Sequence, residues 1–597
     1  MRKLSIIEDS NLFALLVRLK NHISRRRRRQ FNLLLFLMII ASVAEVVSIG
    51  AIVPFLAVLS SPKVFFEYVY LKPFFIWLNV TTPSELLLPF AAFFCLAALL
   101  CGIIRLLLLW ATIRLSFAVG ADLSIDMYRK TLYQPYSVHI TRNSSEIIAG
   151  ISTKVGSVIY DILTPLLTAC SSVIILVFIT AALVILNPLI AVSTFLGFST
   201  IYLLIIAITK KYLALNSARV SFESSQVIKA LQEGLGGIRD VLIDGTQNFY
   251  CQIYQKADLA LRKAQGSNQF ISSSPRYIVE ALGTFLIAGL AYILVVRNGD
   301  NGAVIPMLGA LAFGAQRLLP MLQQIYSAYS NARGAQQNLG DAIMLLDQPM
   351  PNNKMNEHEN TLRFNSSARF DKVCFRYSND APWVLKDISL DIKKGSRIGC
   401  IGKTGSGKST LLDIFMALLT PITGDFIVDG IIINKENSHL WQSLIAHVPQ
   451  AIYLADASIA ENIAFGIPRA QIDFQRVRKA AEQAQISQVI ESWVDGYETE
   501  VGERGVRLSG GQRQRIGIAR ALYKQAEIII FDEATSALDT ETEESVMNAI
   551  GGLSKDLTIF MVAHRLSTLR CCDSIIDIEG GSVKSIKSYE EIFRQGN

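Results

Sequence analysis

The sequence predicts a membrane domain of six transmembrane helices with long cytoplasmic extensions, followed by an α/β nucleotide-binding domain. Three observations predict it. Apolar residues make up 51% of the 597 residues and the mean hydropathy is +0.36, a composition that calls for a solvent other than water. Six apolar runs of membrane-spanning length fill most of residues 31–325. Beyond a polar linker, short apolar strands alternate with helices around Gly402-Lys403-Thr404-Gly405-Ser406-Gly407-Lys408-Ser409-Thr410.

Residues 1–30 are polar to amphipathic and end in the run Arg25 to Arg29. Such a run suits a nucleic-acid patch, a solvated face, or the cytoplasmic flank of a membrane span. An apolar stretch begins at once at Phe31, so the third reading is taken, no nucleic acid is expected as a partner, and the N-terminus is placed in the cytoplasm. The apolar run is too long for the core of a cleaved signal peptide, and no small-residue cleavage site closes it.

The predicted spans are 31–60, 86–113, 162–186, 189–209, 277–296 and 303–325. Asn187-Pro188 forms a tight turn between the third and fourth. The connections 114–161 and 210–276 are long and carry Arg129, Lys130, Arg142 and Lys154 in one, Lys210, Lys211, Arg219, Lys229, Arg239, Arg262 and Lys263 in the other. The excess of cations puts both connections, and both termini, in the cytoplasm. Helical spacing over 123–133 and 221–243 predicts that membrane helices run on into the cytoplasm and are joined there by short transverse helices. The connection after the first span, 64–78, is dense in aromatics and reads as an extracytoplasmic interfacial helix.

Glu45, Arg105, Glu280 and Arg317 fall inside predicted spans. Charges there are costly in lipid and must face a cavity or a partner. Either Arg105 and Arg317 contact an anionic substrate headgroup with Glu280 beside them, or these groups pair internally and fix helix packing. The eight scattered cysteines show no metal-binding spacing and read as reduced thiols.

Residues 348–367 form a polar linker, so the domains are taken as 1–30 (N-terminal segment), 31–347 (membrane), 348–367 (linker) and 368–597 (nucleotide-binding). In the last, the apolar run 397–401 leads into the glycine-rich loop, and 411–415 begins a helix. Glycines let backbone N–H groups converge on phosphate oxygens, and the helix N-terminus faces the same anion. Lys408 is expected to reach the β- and γ-phosphates and Ser409 to ligate Mg²⁺. Tyr377, after an early strand, is an aromatic placed to stack on adenine. Ile528 to Phe531 form a buried strand ending in Asp532 and Glu533. Asp532 suits the metal side and Glu533 the attacking water. Leu508-Ser509-Gly510-Gly511-Gln512 opens a helix and forms a second glycine-rich anion site, to be joined to the first within one domain or across two copies.

Leu-Ser-Gly-Gly-Gln ahead of an apolar-Asp-Glu strand resembles the signature of ABC transporters. Gln450 after Val448-Pro449, the stretch Val501 to Gly505, Ser536-Ala537-Leu538-Asp539 and His564 resemble further marks of that family in order. Six spans ahead of one ATPase domain resemble its type IV exporters. The resemblance implies a head-to-tail pair of ATPase domains. Lys408, Ser409, Asp532, Glu533 and His564 of one copy would face Ser509, Gly510 and Gln512 of the other across each ATP, with Gln450 joining Mg²⁺ to the membrane helices and His564 holding the γ-phosphate. One such domain per chain implies a homodimer, or a heterodimer with another half-transporter.

In the membrane half, Ser48 to Phe55, Ser274 to Tyr277 with Glu280, and Gln316 to Pro320 resemble spans of lipid-linked oligosaccharide flippases and exporters of polysaccharide precursors. This implies an inner- or plasma-membrane translocase that hydrolyses ATP to move an amphipathic substrate, a lipid-linked saccharide, outward. The other readings are a peptide, drug or lipid exporter of the same architecture, and an ATP-gated regulator or channel.

Overall fold

The computed structural model describes residues 11–60, 63, 66, 82–186, 188–298, 304–350, 362–534, 538–552, 554, 556–563 and 565–595. Packing divides the chain into two compact units, Met1–Gln134 with His139–Met350, and Pro135–Val138 with Pro351–Asn597.

The first unit is helical. α1 (Leu12–His22) precedes α2 (Arg25–Ser60) and α3 (Leu87–Leu132). The short α4 (Tyr136–Thr141) follows, its first residues up to Val138 grouped with the second unit, then α5 (Ser144–Ala149), which passes through two π-helical stretches, Gly150–Lys154 and Val158–Leu163, toward α6 (Thr164–Leu186). α7 (Pro188–Gly236), α8 (Ile238–Ile243), α9 (Gln247–Ser273), α10 (Pro275–Asn298), α11 (Val304–Gly334) and α12 (Gln336–Leu346) complete it.

Among the described residues, four stretches are long and apolar enough to cross a membrane: Arg25–Leu56, Leu87–Leu132, Ser144–Ala182 and Phe195–Gly236. The fifth and sixth predicted spans coincide with α10 and α11, whose side chains lie partly outside the described residues. α3 has 46 residues, about 69 Å at 1.5 Å per residue, more than twice the apolar thickness of a bilayer. It must therefore project well beyond the membrane.

The placing of the transverse helices needs correction. Residues 123–132 are the end of α3, and 221–236 the end of α7. The short connecting helices are α4, which follows 123–133, and α8, which lies at the end of the predicted stretch 221–243. The breaks fall at Gln134-Pro135 and Gly236-Gly237, where proline cannot continue a helix and glycine ends one cheaply. The aromatic stretch 64–78 and the turn residue Asn187 lie outside the described residues, apart from Phe66.

α1 was not foreseen as a packed element. Its Leu15 and Leu19 are buried in a cluster with Leu339, Ile343 and Leu346 of α12. Asp347 accepts from Arg18, and its Oδ1 lies 2.7 Å from His22 Nε2. α2 and α3 are tied by Arg27 and Asp122 (Nε to Oδ2, 2.8 Å) and by Cys101 Sγ donating to buried Glu45 at 3.0 Å.

The second unit holds two sheets. β1 (Ser367–Phe375), β2 (Leu385–Lys393), β4 (Thr423–Val428) and β5 (Ile431–Ile432) form an antiparallel sheet in the order β2-β1-β4-β5. The other sheet has the order β10-β9-β3-β8-β7-β6: β3 (Arg397–Ile401), β6 (Ile445–Val448), β7 (Ile528–Asp532), β8 (Thr558–Val562), β9 (Ser574–Glu579) and β10 (Ser582–Lys587). β9, β3, β8, β7 and β6 run parallel, and only β10 is antiparallel to its neighbour. α13 (Lys408–Phe415) leaves β3 through the glycine-rich loop. Phe370, Phe415, Phe426, Trp441 and Phe560 pack into one buried aromatic cluster between the sheets. Trp441 Nε1 donates to the Phe415 carbonyl at 2.5 Å and so holds the end of α13.

β6 carries a titratable group that the packing keeps neutral. Burial pushes His447 down to about 4, and its Nε2 has no partner among the described residues. The unfolded chain has the ordinary value of about 6.5. Between these values the unfolded state binds the extra proton. The stability contribution is therefore complete above about pH 6.5 and is lost as pH falls toward 4, by about 3 kcal/mol in full. A His447→Gln chain, which cannot charge, should show a flatter acid limb of thermal unfolding in this window than the parent chain. Parallel limbs would refute the assignment.

Candidate functional site

The loop after β3 depends on glycine at two points. Gly402 has φ 152°, and a Cβ there would sit 2.4 Å from the Ile578 carbonyl oxygen. Gly407 has φ 104°, and its Cβ would meet Leu385 Cδ2 at 2.8 Å. Both positions exclude ordinary side chains. The resulting loop turns backbone around the N-terminus of α13. Inside it, Ser406 Oγ is buried and has no partner among the described residues. Lys408 is buried, and its ammonium donates to the carbonyls of Gly402 (2.7 Å) and Lys403 (3.1 Å). Ser409 is exposed at the helix start, while Thr410 is buried and its Oγ1 lies 3.0 Å from the Tyr377 hydroxyl. Tyr377 is half exposed beside the loop, its ring edge-on to Phe375. Lys403, Thr404 and Gly405 form the exposed rim.

The parallel sheet brings the remaining groups to one edge. Gly402, Gln450 and Asp532 each follow or end a parallel strand at its carboxyl end, where such sheets place ligands. Val448 pairs with Phe531 across β6 and β7, so the residues two beyond each come together. Gln450 Nε2 donates to Glu533 Oε2 at 2.7 Å. Glu533 has φ 50°, and its N–H donates to the Val562 carbonyl at 3.0 Å. That bond fixes a left-handed backbone that a non-glycine residue adopts only when held. Asp532 is pushed up by burial and then by the neighbouring Glu533 charge, while Lys408 pulls it down. Asp413, on α13, is pushed up to about 6 by burial and then by Asp532. The edge is thus a crowded carboxylate surface facing one buried ammonium. His564 lies outside the described residues, as do Ser536 and Ala537. The N–H of Ala563, the residue before His564, donates to the Cys400 carbonyl at 3.4 Å, beside the loop.

The second glycine-rich segment opens α14 (Gly510–Lys524). Ser509 is its N-cap, with Oγ accepting from Gln512 N–H at 3.2 Å and Ser509 N–H donating to Gln512 Oε1 at 2.8 Å. This reciprocal pair was legible as Ser-x-x-Gln but was not singled out. It leaves the Ser509 hydroxyl proton and the Gln512 amide free to donate outward. Gly510 and Gly511 form the first turn, whose N–H groups carry the positive end of the helix. Arg513, also missed, holds the preceding loop by donating to Gly505 (3.3 Å) and Leu508 (3.2 Å). Asp539 caps the next helix by accepting from Thr542 N–H at 3.0 Å.

The donor set fits a nucleoside triphosphate and a hard divalent cation. The cradle has an orphaned hydroxyl and a buried ammonium for phosphate oxygens. Ser409, Gln450 and Asp532 offer oxygen ligands of the kind Mg²⁺ takes.

Glu45, Arg105 and Glu280 each have a charged partner within the protein. Arg105 Nη1 lies 3.5 Å from Glu45 Oε1, the internal pairing that the sequence left as one of two readings. Arg276 Nε donates to Glu280 Oε1 at 2.7 Å within the first turns of α10. The Arg317 side chain lies outside the described residues.

Comparison with known proteins places the chain. Residues 385–536 match the family model for the ABC transporter, and residues 31–311 match that for the ABC transporter transmembrane region. The chain is 35% identical over 333 residues to the β-(1→2)glucan export ATP-binding/permease protein NdvA of Agrobacterium vitis, covering 56% of this chain and 55% of that protein. The aligned part thus spans about half the length of that relative. It is 32% identical over 397 residues to an ATP-dependent lipid A-core flippase of Chromohalobacter salexigens, covering 66% of this chain and 67% of that protein. The structure of a bacterial Atm1-family ABC exporter with ATP bound superposes with a TM-score of 0.79 over 96% of both chains, at 23% identity. That likeness carries the fold: helical membrane domain first, ATPase domain second.

Proposed function

This chain belongs to the ABC transporter family, and from that membership we propose that it is an ATP-hydrolysing flippase of the inner or plasma membrane that moves a lipid-linked saccharide from the cytoplasmic to the outer side. The observation that carries the ATPase part is the convergence of Lys408, Gln450, Asp532 and Glu533 at one sheet edge. The saccharide-lipid part is supported by relatives named for lipid A-core and glucan.

Two copies meet head to tail, both ATPase domains in the cytoplasm. The 402–410 loop and Lys408 bind the phosphates and Tyr377 stacks on adenine. Ser509, Gly510, Gly511 and Gln512 of the second copy close over the γ-phosphate, which His564 also holds. Ser409, Gln450 and Asp532 would hold Mg²⁺, which would supply positive charge to offset that of the phosphates. Glu533 orients the attacking water and accepts its proton. Closure passes to the membrane helices through α4 and α8, and hydrolysis resets the pair. Arg317, with Arg105 and Glu280, is the candidate contact for an anionic headgroup.

The test is translocation of a fluorescent lipid-linked saccharide in proteoliposomes. ATP-dependent translocation, slowed in an Arg317→Ala chain and absent in a Glu533→Gln chain, is expected. ATPase stimulation by peptides but not by the saccharide lipid would replace the substrate. Flux without hydrolysis would indicate an ATP-gated channel.

A further inference from the structure

We propose that a groove between α2 and α3, at their cytoplasmic ends, binds one acidic phospholipid of the inner leaflet. The inference rests on the membrane orientation, not on the identity of the transported substrate.

The groove encloses about 340 Å³ and is lined by Arg26, Arg27, Leu33, Leu37, Trp110 and Arg114, among others. Its two ends differ in chemistry. Arg27 is held in place by Asp122 (2.8 and 3.2 Å) and Gln30 (3.1 Å), so its charge is answered within the protein. Arg26 and Arg114 are exposed, and among the described residues neither pairs with a carboxylate. The Arg114 guanidinium lies 5.0 Å from the Trp110 ring centroid, which orients it along the groove wall. Below the arginines the wall is apolar, with Leu33 and Trp110 well exposed.

Depth matches a lipid. α3 begins at Leu87, and Arg114 lies about 40 Å along it at 1.5 Å per residue, past the hydrocarbon and at the polar boundary. Arg26 precedes the first apolar residue of α2, and the Arg27–Asp122 pair sets the two helices in register. Two cations without an ion pair among the described residues therefore stand at headgroup level on adjacent helices, Arg26 feeling only the Asp122 charge that Arg27 already binds, above an apolar trough that suits an acyl chain. A phosphodiester between Arg26 and Arg114 supplies the missing charge. A tryptophan at that depth is at home in the interface. A zwitterionic headgroup would bring its own cation next to theirs, so an acidic lipid is favoured. Each arginine facing an anionic surface gives about a five- to sixfold preference, so the two give about 30-fold at low salt.

Trp110 is the reporter. The full chain is placed in phosphatidylcholine nanodiscs containing a minor fraction of brominated phosphatidylglycerol or brominated phosphatidylcholine. Quenching of Trp110 is taken as the difference between the parent and a Trp110→Phe chain. The brominated acidic lipid should quench at concentrations about 30-fold lower. An Arg26→Gln, Arg114→Gln chain should lose this preference but keep quenching by abundant brominated phosphatidylcholine, which shows that the groove is still folded and lipid-facing. An Arg114→Lys chain should keep most of the preference. Equal quenching by both lipids would overturn the proposal and leave an ordinary lipid-facing surface. No quenching by either would overturn it in favour of a second copy covering the groove.

Discussion

Replacing Glu533 by glutamine is expected to leave ATP binding intact and to slow steady-state hydrolysis by about 10²–10⁴-fold, the usual contribution of a positioned base. The geometry makes this substitution clean. The backbone at Glu533 is held by the Val562 carbonyl, a bond that the substitution leaves in place. An amide at this position can turn its carbonyl oxygen to Gln450, whose Nε2 now donates to Glu533 Oε2. Shape and the Gln450 contact survive, while the capacity to take a proton from water is lost. Charge moves in the same direction. Glu533 is the second cause, after burial, of the raised value of Asp532. Removing its charge lowers Asp532, so metal-ATP should be held at least as tightly. Equilibrium binding of a fluorescent ATP analogue and steady-state phosphate release together check both halves. Undiminished release would remove Glu533 from the role of base.

The nucleotide site was legible because each part depends on a local pattern. A glycine spacing dictates the loop, and an apolar run ending in two acids dictates β7. Adjacent strands then bring these ends together without further instruction. The Gln450–Glu533 contact follows from strand register, which no single segment encodes. The membrane half was legible as lengths of apolar chain and much less as contacts. The periodicity of 123–132 was legible as a membrane helix running on past the bilayer, but not where it ends, because the break depends on Pro135 alone. Arg105 stood out as a buried-span cation, but its neighbour Glu45 is contributed by another helix. The packing of α1 on α12 joins opposite ends of the membrane unit, and its Leu15 and Leu19 look in sequence like any amphipathic stripe.

Lys154→Ala should destabilise the membrane unit by about 3–5 kcal/mol, the cost of leaving one partner of a buried ion pair alone. In the sequence Lys154 counts as one cation of a cytoplasmic loop. In the structure its Nζ lies 2.6 Å from Asp341 Oδ2 and donates to Ser221 Oγ at 3.1 Å. Its side chain is 8% exposed and that of Asp341 17%. The pair joins α12 to α7 and to the π-helical turn Gly150–Lys154, and Ser221 also donates to Asp341. Alanine would remove the cation and leave Asp341 with Ser221 and Gln337, two neutral donors for a buried carboxylate. A Lys154→Met, Asp341→Leu chain removes both charges and keeps volume, so it should recover most of the loss. Thermal unfolding of the detergent-solubilised chain, run as a double-mutant cycle, separates the pair from mere packing. If the single and double variants fall equally, the pair is only filling space. The same burial bears on topology. With Lys154 withdrawn from the count, Arg129, Lys130 and Arg142 still leave that connection rich in cations, so the expected orientation does not depend on a charge the fold has hidden.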